Sequence, residues 1–510
     1  MLHNDYYTDY NKLNLHINMA RTLIRITQGI TRHPDYRMAQ PVDFALTAGE
    51  PLAICGPNGG GKSLLVDILT GAHPLLGDAI KYDFGGRNGN RAADNVRLVS
   101  FRDVYGGNEP AYYQQRWNQA DEQVFPTVHE MLQQAWKTWH PDESEVNFDI
   151  HSNPVIAYLG VDEHANKPIN QLSSGELRRM QLARMLMSAP TVLIIDNPYI
   201  GLDKDARAML TQVLAELAKN LTLVLVVSRS EDVPPFVEQV VCVENKVVSA
   251  PMSVTAYVEK EQATLPKRAE RIKLPKDADL RHEVPQEVID FNRISIRYGE
   301  RTILRKLSWH VRSGEHWALV GENGAGKSTL LSLVCADNPQ AYACDIRLFG
   351  CQRGKGESIW DIKRRIGYVS PEIYSTYRKS LPTIDIVASG LRDTVGLYCQ
   401  PSDEERAVCM EWMRVFRAEH LAQQNYMKLS SGQQRLVLLV RAFVKSPDLL
   451  ILDEPFHGLD NATRLHAQHV IDRYMQNPTK TLIMVSHYRE EFPRCITCFQ
   501  MLLKQKNKEI

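Results

Sequence analysis

The chain has 510 residues, roughly two to three times the size of a usual single domain, so two or more packed cores are expected. Its 60 Lys and Arg residues balance 60 Asp and Glu, and a content of 44% hydrophobic and 24% charged residues is typical of a globular protein. This composition excludes a disordered or fibrous chain, gives no indication of nucleic-acid binding, and includes no apolar run long enough for a membrane span.

The start of the chain and its cysteines indicate the compartment. No basic segment followed by an apolar one directs the chain to secretion, and nine cysteines, an odd number, are typical of reduced thiols. We therefore expect a cytoplasmic protein. Residues 1–20 are expected to form a loosely ordered extension, and an alternating strand from Arg21 begins a first domain over residues 21–260.

A glycine-rich loop directly follows an apolar strand that ends at Cys55, and it matches the pattern G-x-x-x-x-G-K-[ST]. Glycines at these positions let backbone N–H groups turn toward phosphate oxygens at a helix N-terminus. The lysine is expected to reach the β- and γ-phosphates, and the serine to ligate Mg²⁺. The nucleotide-binding residues predicted from this loop are Gly56, Pro57, Asn58, Gly59, Gly60, Gly61, Lys62 and Ser63.

Two further segments of the first domain combine apolar and polar residues. The segment Leu-Ser-Ser-Gly-Glu begins at Leu172, and an apolar run ends at Asp196, shortly before a Gly-Leu-Asp segment. A carboxylate that follows a buried strand lies at the carboxyl edge of a parallel sheet, where it can hold Mg²⁺. Apolar strands that alternate with helical stretches predict an α/β fold with a mainly parallel sheet.

The second half of the chain repeats the first. After a charged, proline-broken linker over residues 261–287, the glycine-rich loop recurs at an offset of 265 (Gly56 to Gly321) and Leu-Ser-Ser-Gly at an offset of 257 (Leu172 to Leu429). The sequence thus predicts a second domain over residues 288–510, and it places the additional residues of the first copy in a loop over 85–94. The second loop predicts nucleotide contacts from Gly321, Glu322, Asn323, Gly324, Ala325, Gly326, Lys327 and Ser328.

The second copy also carries residues suited to hydrolysis. Its apolar run ends at Asp453, and Glu454 follows, where a carboxylate can polarise the water that attacks the γ-phosphate. His487 comes after a later strand and can donate a hydrogen bond to the transferring phosphoryl group. The predicted catalytic residues are Lys327, Glu454 and His487, and the predicted metal ligands are Ser63, Asp196, Ser328 and Asp453.

These motifs, present twice in one order, resemble those of the ATP-binding-cassette (ABC) ATPases over nearly the whole chain. The resemblance implies two tandem P-loop NTPase domains, each with a mainly parallel sheet core, an antiparallel β-subdomain and a helical subdomain. It also implies binding of ATP and Mg²⁺, and hydrolysis of ATP to ADP and phosphate. Stretches of the second copy, including those that begin at Asn338 and Ile366, are more narrowly similar to the soluble twin-cassette proteins named for molybdate transport or photorepair (the ModF/PhrA type).

Cassettes of this family pair head to tail, so that each ATP lies between one cassette's phosphate loop and the signature segment of the other. The resemblance implies that both sites form within this one chain. In the first implied site Ser173 and Gly175 face the loop of the second copy, and in the other Ser430 and Gly432 face the loop of the first.

The two copies differ at the catalytic positions. Asn197 stands where the second copy has Glu454, and Arg229 stands where it has His487. An amide cannot accept a proton as a carboxylate does, and an arginine is permanently charged. One site is therefore predicted to hydrolyse ATP, and the other mainly to bind it.

Two departures from the family pattern concern the partner and the adenine. The Gln that the family carries after the strand ending at Val369 is replaced by Ser-Pro-Glu, ending at Glu372, which weakens the link to a transporter. The aromatic residue that stacks on adenine in the family corresponds to Tyr298, and the first copy offers only His33 or Tyr36.

The sequence favours a twin-cassette ATPase that couples ATP hydrolysis to a partner, with a molybdate-type permease at the inner membrane as one candidate. Two alternatives stay open: a ribosome-associated translation factor of the twin-cassette kind, and the fused ATPase subunit of a sugar importer. A long basic helical linker is typical of the first alternative, and the short linker here counts against it.

Overall fold

The computed structural model describes residues 21–85, 89–101, 125–141, 148–265, 272–275, 285–299 and 301–504. The predicted extension over 1–20 and most of the predicted linker lie outside these ranges. The described residues form two compact units, of which the first ends at Leu265 and the second begins at Ile272.

The strands of the first unit form two sheets. They are β1 (Thr22–Gly29), β2 (Val42–Thr47), β3 (Leu52–Cys55), β4 (Ile80–Tyr82), β5 (Val96–Ser100), β6 (Val192–Asp196), β7 (Thr222–Val226), β8 (Gln239–Glu244), β9 (Val247–Val248) and β10 (Met252–Ser253). The smaller sheet is antiparallel, in the order β2-β1-β4, and the larger has the order β10-β8-β3-β7-β6-β5, with β9 paired to β8.

Helices of the first unit cover the larger sheet and connect its strands. They are α1 (Lys62–Leu69), α2 (Ala92–Asn95), α3 (Val128–Trp139), α4 (Pro154–Tyr158), α5 (Ser174–Leu186), α6 (Lys204–Leu217) and α7 (Val254–Thr264). Strands β3 and β7 are buried along their whole length. Alternate residues of β3 point into different hydrophobic cores. Ala53 and Cys55 pack with the helices α3 to α6, and Leu52 and Ile54 pack with α1 and the antiparallel sheet.

The second unit repeats this plan. Its strands are β11 (Glu287–Tyr298), β12 (Arg301–Arg312), β13 (His316–Val320), β14 (Ile346–Leu348), β15 (Cys351–Gln352), β16 (Ile366–Val369), β17 (Leu449–Asp453), β18 (Thr481–Val485) and β19 (Cys498–Met501). Its helices are α8 (Lys327–Val334), α9 (Ile359–Arg364), α10 (Pro371–Thr376), α11 (Thr383–Ala388), α12 (Asp403–Val415), α13 (Ser431–Phe443) and α14 (Asn461–Tyr474).

The two units share one sheet topology. The parallel strands have the order β16-β17-β18-β13-β19 in the second unit, and the equivalent strands of the first have the order β5-β6-β7-β3-β8. An antiparallel sheet, β12-β11-β14-β15, corresponds to the smaller sheet of the first unit. The predicted fold class, a tandem α/β fold with a mainly parallel core in each copy, is confirmed.

The prediction that the additional residues of the first copy lie in the loop 85–94 is wrong. Strands β5 and β16 pair in the same register with the next strand of their sheets, which matches Val96 with Ile366. The offset has risen from 265 to 270 (Val96 to Ile366) at this point, so up to β5 the first copy is the shorter one. The excess falls between Ser100 and Pro126, largely outside the described ranges. A glycine-rich composition identifies a turn, but not the position of a length difference.

The predicted linker range 261–287 contains segments that belong to the units. Helix α7 ends at Thr264. Ile272 and Leu274 are half-buried against the apolar core of the second unit. Leu274 and Pro275 also line a cavity of about 230 Å³ together with Trp412 of α12. Within the described ranges, no helix has both the length and the apolar character that crossing a bilayer requires.

Candidate functional site

The two glycine-rich loops, residues 56–63 and 321–328, connect a buried parallel strand to a helix in each unit. Gly61 precedes α1 with φ of 108°, and Gly326 precedes α8 with φ of 96°. These are left-handed conformations that glycine adopts without steric cost. Neither helix begins with a side-chain cap, so its first N–H groups are left to a ligand or solvent.

The first glycine of each loop also lies too close to the backbone of a neighbouring segment to be replaced by a residue with a side chain. A Cβ on Gly56 would lie 2.2 Å from the Val243 carbonyl oxygen, and one on Gly321 would lie 2.5 Å from that of Leu502. Each loop is thus a backbone cradle at a helix N-terminus, as phosphate binding requires. The residues present fit the phosphates of a nucleotide.

The lysine of each loop lies along its own loop. Lys62 Nζ donates to the carbonyl oxygens of Gly56 at 2.6 Å and of Pro57 at 2.9 Å. Lys327 Nζ donates to the carbonyl oxygen of Gly321 at 2.5 Å. Ser63 and Ser328 follow as exposed residues in the first turns of α1 and α8. Both loops therefore present the same two groups, a lysine ammonium and an exposed serine hydroxyl.

Asp453 ends the buried strand β17 and is 7% exposed. Burial, together with the nearby carboxylates of Glu372 and Glu454, raises the pKa of Asp453 well above its usual range, and Lys327 partly opposes this. A cation beside these oxygens would stabilise the charged form. Carboxylate and hydroxyl oxygens are the ligands that Mg²⁺ prefers, so Asp453 and Ser328 fit this ion.

Glu454 has a strained backbone and a buried side chain. Its φ is 49°, in the left-handed region that non-glycine residues rarely adopt, and the residue is 7% exposed. The turn is fixed because its N–H donates to the carbonyl oxygen of Val485 at 3.0 Å. Strain of this kind is retained at functional positions when the surrounding structure imposes it.

Two imidazoles face the Glu454 carboxylate. Nε2 of His487 lies 3.4 Å from Oε1, and Nε2 of His457 lies 2.8 Å from Oε2. The structure thus brings together the predicted pair Glu454 and His487. Reasoning from the sequence missed His457, although its spacing of three residues from Glu454 before Gly-Leu-Asp was a usable signal, because a turn at that point folds residue i+3 back toward residue i.

The first unit holds a different set at the equivalent place. Asn197 shares the left-handed backbone, with φ of 53°, and its Nδ2 donates to Oδ1 of Asp196 at 2.7 Å. The expected match of Arg229 with His487 is wrong. The register of β7 and β18 with their neighbouring strands places the buried Ser228 at the position of His487. Ile200 stands where the second unit has His457. The predicted metal ligand Asp196 is thus retained here, whereas the carboxylate and both imidazoles of the second unit are replaced.

The signature segments are N-terminal caps of long helices. Ser173 precedes α5 and Ser430 precedes α13, and each hydroxyl accepts from the backbone N–H three residues later in a capping box. Gly175 and Gly432 lie in the first turns of these helices. Each segment is described within its own unit, so its contact with the phosphate loop of the other unit stays a prediction.

Tyr298 ends β11, and its hydroxyl accepts a hydrogen bond from Nδ2 of Asn338 at 2.9 Å. The strand register also identifies its counterpart in the first unit. Gln28 and Arg293 are matching bulge residues, with φ of 48° and 49°, and the same offset carries Tyr298 to His33. The structure thus aligns one of the two aromatic candidates, His33, with Tyr298.

The chain matches the ABC transporter family model twice, over residues 39–200 and 304–457. The ABC transporter ATP-binding protein ModF of Escherichia coli is 36% identical over 487 residues, which cover 93% of this chain and 95% of ModF. An uncharacterized ABC transporter ATP-binding protein of Schizosaccharomyces pombe is 29% identical, over 89% of this chain and 92% of its own length.

Solved structures share the fold. An archaeal ribosome recycling factor, aABCE1, in complex with the ribosomal stalk protein aP1, is 19% identical, with a TM-score of 0.51 over 93% of this chain and 87% of that one. A ribosome-bound archaeal ABCE1 with Pelota is 20% identical, with a TM-score of 0.54 over 90% of this chain and 73% of that one. At these identities the likeness concerns the fold alone.

Proposed function

The chain belongs to the ABC transporter family as a twin-cassette ATP-binding protein, and from this premise we propose that its second phosphate loop belongs to a hydrolytic site and its first to a site that mainly binds ATP. The observation that carries this proposal is the contrast between Glu454 and Asn197. The first is a buried carboxylate between two imidazoles, and the second is an amide bonded to Asp196.

In the proposed chemistry, each site residue of the second unit has one role. Glu454 accepts a proton from the water that attacks the γ-phosphate, and His487 donates to the phosphoryl oxygens as charge develops there. Lys327 holds the β- and γ-phosphates. Mg²⁺, held by Ser328 and Asp453, would neutralise charge on the phosphates.

In this proposal the first unit still binds a nucleotide but does not hydrolyse it. Lys62, Ser63 and Asp196 retain the phosphate and metal contacts, while Asn197 lacks a group that can accept a proton. By the head-to-tail pairing of the family, Ser173 and Gly175 complete the hydrolytic site, and Ser430 and Gly432 complete the binding site. Both sites then form within one chain.

For the partner, we propose a membrane permease, with the protein acting in the cytoplasm and at the inner membrane when bound. The relative from Escherichia coli, named as an ABC transporter ATP-binding protein and similar over 93% of this chain, supports this choice. Molybdate is the first cargo to test. A ribosome-associated factor, or the fused ATPase subunit of a sugar importer, are the alternative outcomes.

Two experiments test this proposal. Mg²⁺-dependent ATP hydrolysis should fall by about 100- to 1,000-fold in Lys327→Ala, because a transition-state contact is lost, and much less in the matched variant Lys62→Ala. Equal losses would contradict the asymmetry. For the partner, Glu454→Gln protein held with ATP should copurify with a permease; copurification with ribosomes, or with no partner, would overturn the assignment of a permease.

A further inference from the structure

His457 lies in the turn between β17 and α14 and is 5% exposed. Its backbone N–H donates to the carbonyl oxygen of Glu454 at 3.4 Å, which closes the turn. The turn therefore returns the imidazole over the carboxylate that comes three residues earlier. Nε2 then lies 2.8 Å from Oε2 of Glu454, at ion-pair distance but off the linear alignment of a hydrogen bond.

The Glu454 carboxylate is buried, and its two oxygens face different imidazoles. His487 lies on the side of Oε1 at 3.4 Å, and His457 lies closer, on the side of Oε2. Neither oxygen has another side-chain ion pair or hydrogen bond within the described ranges. The terminal torsion of a glutamate is broad, so a carboxylate without a close neighbour would sample many orientations.

We propose that His457 is a positioning residue that holds Oε2 of Glu454 and thereby keeps Oε1 directed at the attacking water. This inference rests on the proposed function, since it refines the role of Glu454 in hydrolysis. His457 has no contact with the nucleotide in this assignment and acts through the carboxylate alone. A small rotation of its ring would complete the hydrogen bond, in keeping with catalytic contacts that tighten only when substrate is bound.

The first unit supplies an internal comparison. There the same turn carries Ile200 at the position of His457 and Asn197 at the position of Glu454. An apolar residue is thus accepted by the fold of this turn, so packing alone does not call for an imidazole. The histidine occurs in the copy that has a carboxylate to hold, and it is absent from the copy that has none.

The test replaces His457 with the residue of the other unit. His457→Ile should lower kcat for ATP hydrolysis by about 10- to 100-fold, the usual effect of misplacing a catalytic group. KM, the affinity for a fluorescent ATP analogue and the melting temperature should stay close to wild type. His457→Gln, which keeps a donor, should restore part of kcat. The matched variant Ile200→Ala in the first unit should leave kcat unchanged.

A double variant separates positioning from a structural role. In a Glu454→Gln background, His457→Ile should cause no further loss, because the two residues act as one unit. An unchanged kcat in His457→Ile, or equal losses in His457→Ile and His457→Gln together with weaker nucleotide binding, would overturn the inference. If Glu454→Gln itself left hydrolysis intact, the proposed function would fall instead, which keeps the two failures distinct.

Discussion

Asn197 donates its side-chain amide to Oδ1 of Asp196 at 2.7 Å, so the residue at the position of Glu454 is bonded to the predicted metal ligand of the first unit. Both Asn197 and Glu454 occupy the left-handed backbone region, with φ of 53° and 49°. Asparagine is enriched in this region, whereas glutamate is strained there. The first unit thus combines a relaxed turn with an amide side chain, and the second combines a strained turn with a carboxylate.

The strain predicts that stability and activity change in opposite directions at residue 454. Glu454→Asn should raise the free energy of unfolding by about 1 kcal/mol, because the left-handed backbone suits asparagine better and a buried carboxylate is removed. Hydrolysis should be lost at the same time. Thermal unfolding without nucleotide and a steady-state ATPase assay measure the two effects.

The reverse substitution is the matched control. Asn197→Glu should lower the stability and confer no second hydrolytic activity, since Ile200 and Ser228 stand at the positions of the two imidazoles. A lower stability in both variants would show that backbone strain does not distinguish the two turns.

ATP bound in the first unit is predicted to persist through several turnovers of the second. The loop of residues 56–63 keeps its cradle and its lysine, while Asn197 stands at the position of Glu454. ATP held there would then stabilise the closed form of the pair through its higher affinity for that form. Rapid filtration with labelled ATP should recover one unhydrolysed nucleotide per chain. Recovery of ADP alone at this site would contradict the prediction.

Both sites are predicted to form within a single chain. Ser173→Arg should therefore silence the Glu454 site in cis, and turnover per mole should not depend on protein concentration. The substitution also removes a helix cap, worth about 1 kcal/mol. Thr127→Arg removes a cap of the same type from the same unit, outside the signature segment, and should retain activity. Recovery of activity on mixing Ser173→Arg with Glu454→Gln chains would show that sites form between chains.

The segment over residues 272–275 is predicted to stabilise the second unit. Leu274 is half-buried against its apolar core, so Leu274→Ala should lower the free energy of unfolding by about 1 kcal/mol. Its neighbour Lys273 is exposed, and Lys273→Ala is the matched control with no expected effect. Chemical denaturation of the full chain gives both values, and equal stability of the two variants would exclude this role.

The repeated motifs were sufficient to predict the fold class and the positions of both phosphate loops in the chain. The turns at Gly61 and Gly326 could be predicted because glycine adopts the left-handed conformation before those helices without steric cost. The sequence could not predict the tertiary contacts of the site. The approach of His457 to Glu454 depends on how one turn folds, and the match of His33 with Tyr298 depends on strand register.

The most direct test of one hydrolytic and one binding site is a comparison of ATP turnover in Glu454→Gln and Asn197→Gln. The two substitutions place the same side chain at equivalent positions of the two units. The asymmetric assignment predicts a loss of about 100- to 1,000-fold in the first variant, because a transition-state group is removed, and a loss of less than about twofold in the second, which keeps an amide. Equal losses in the two variants, or near wild-type turnover in Glu454→Gln, would contradict it.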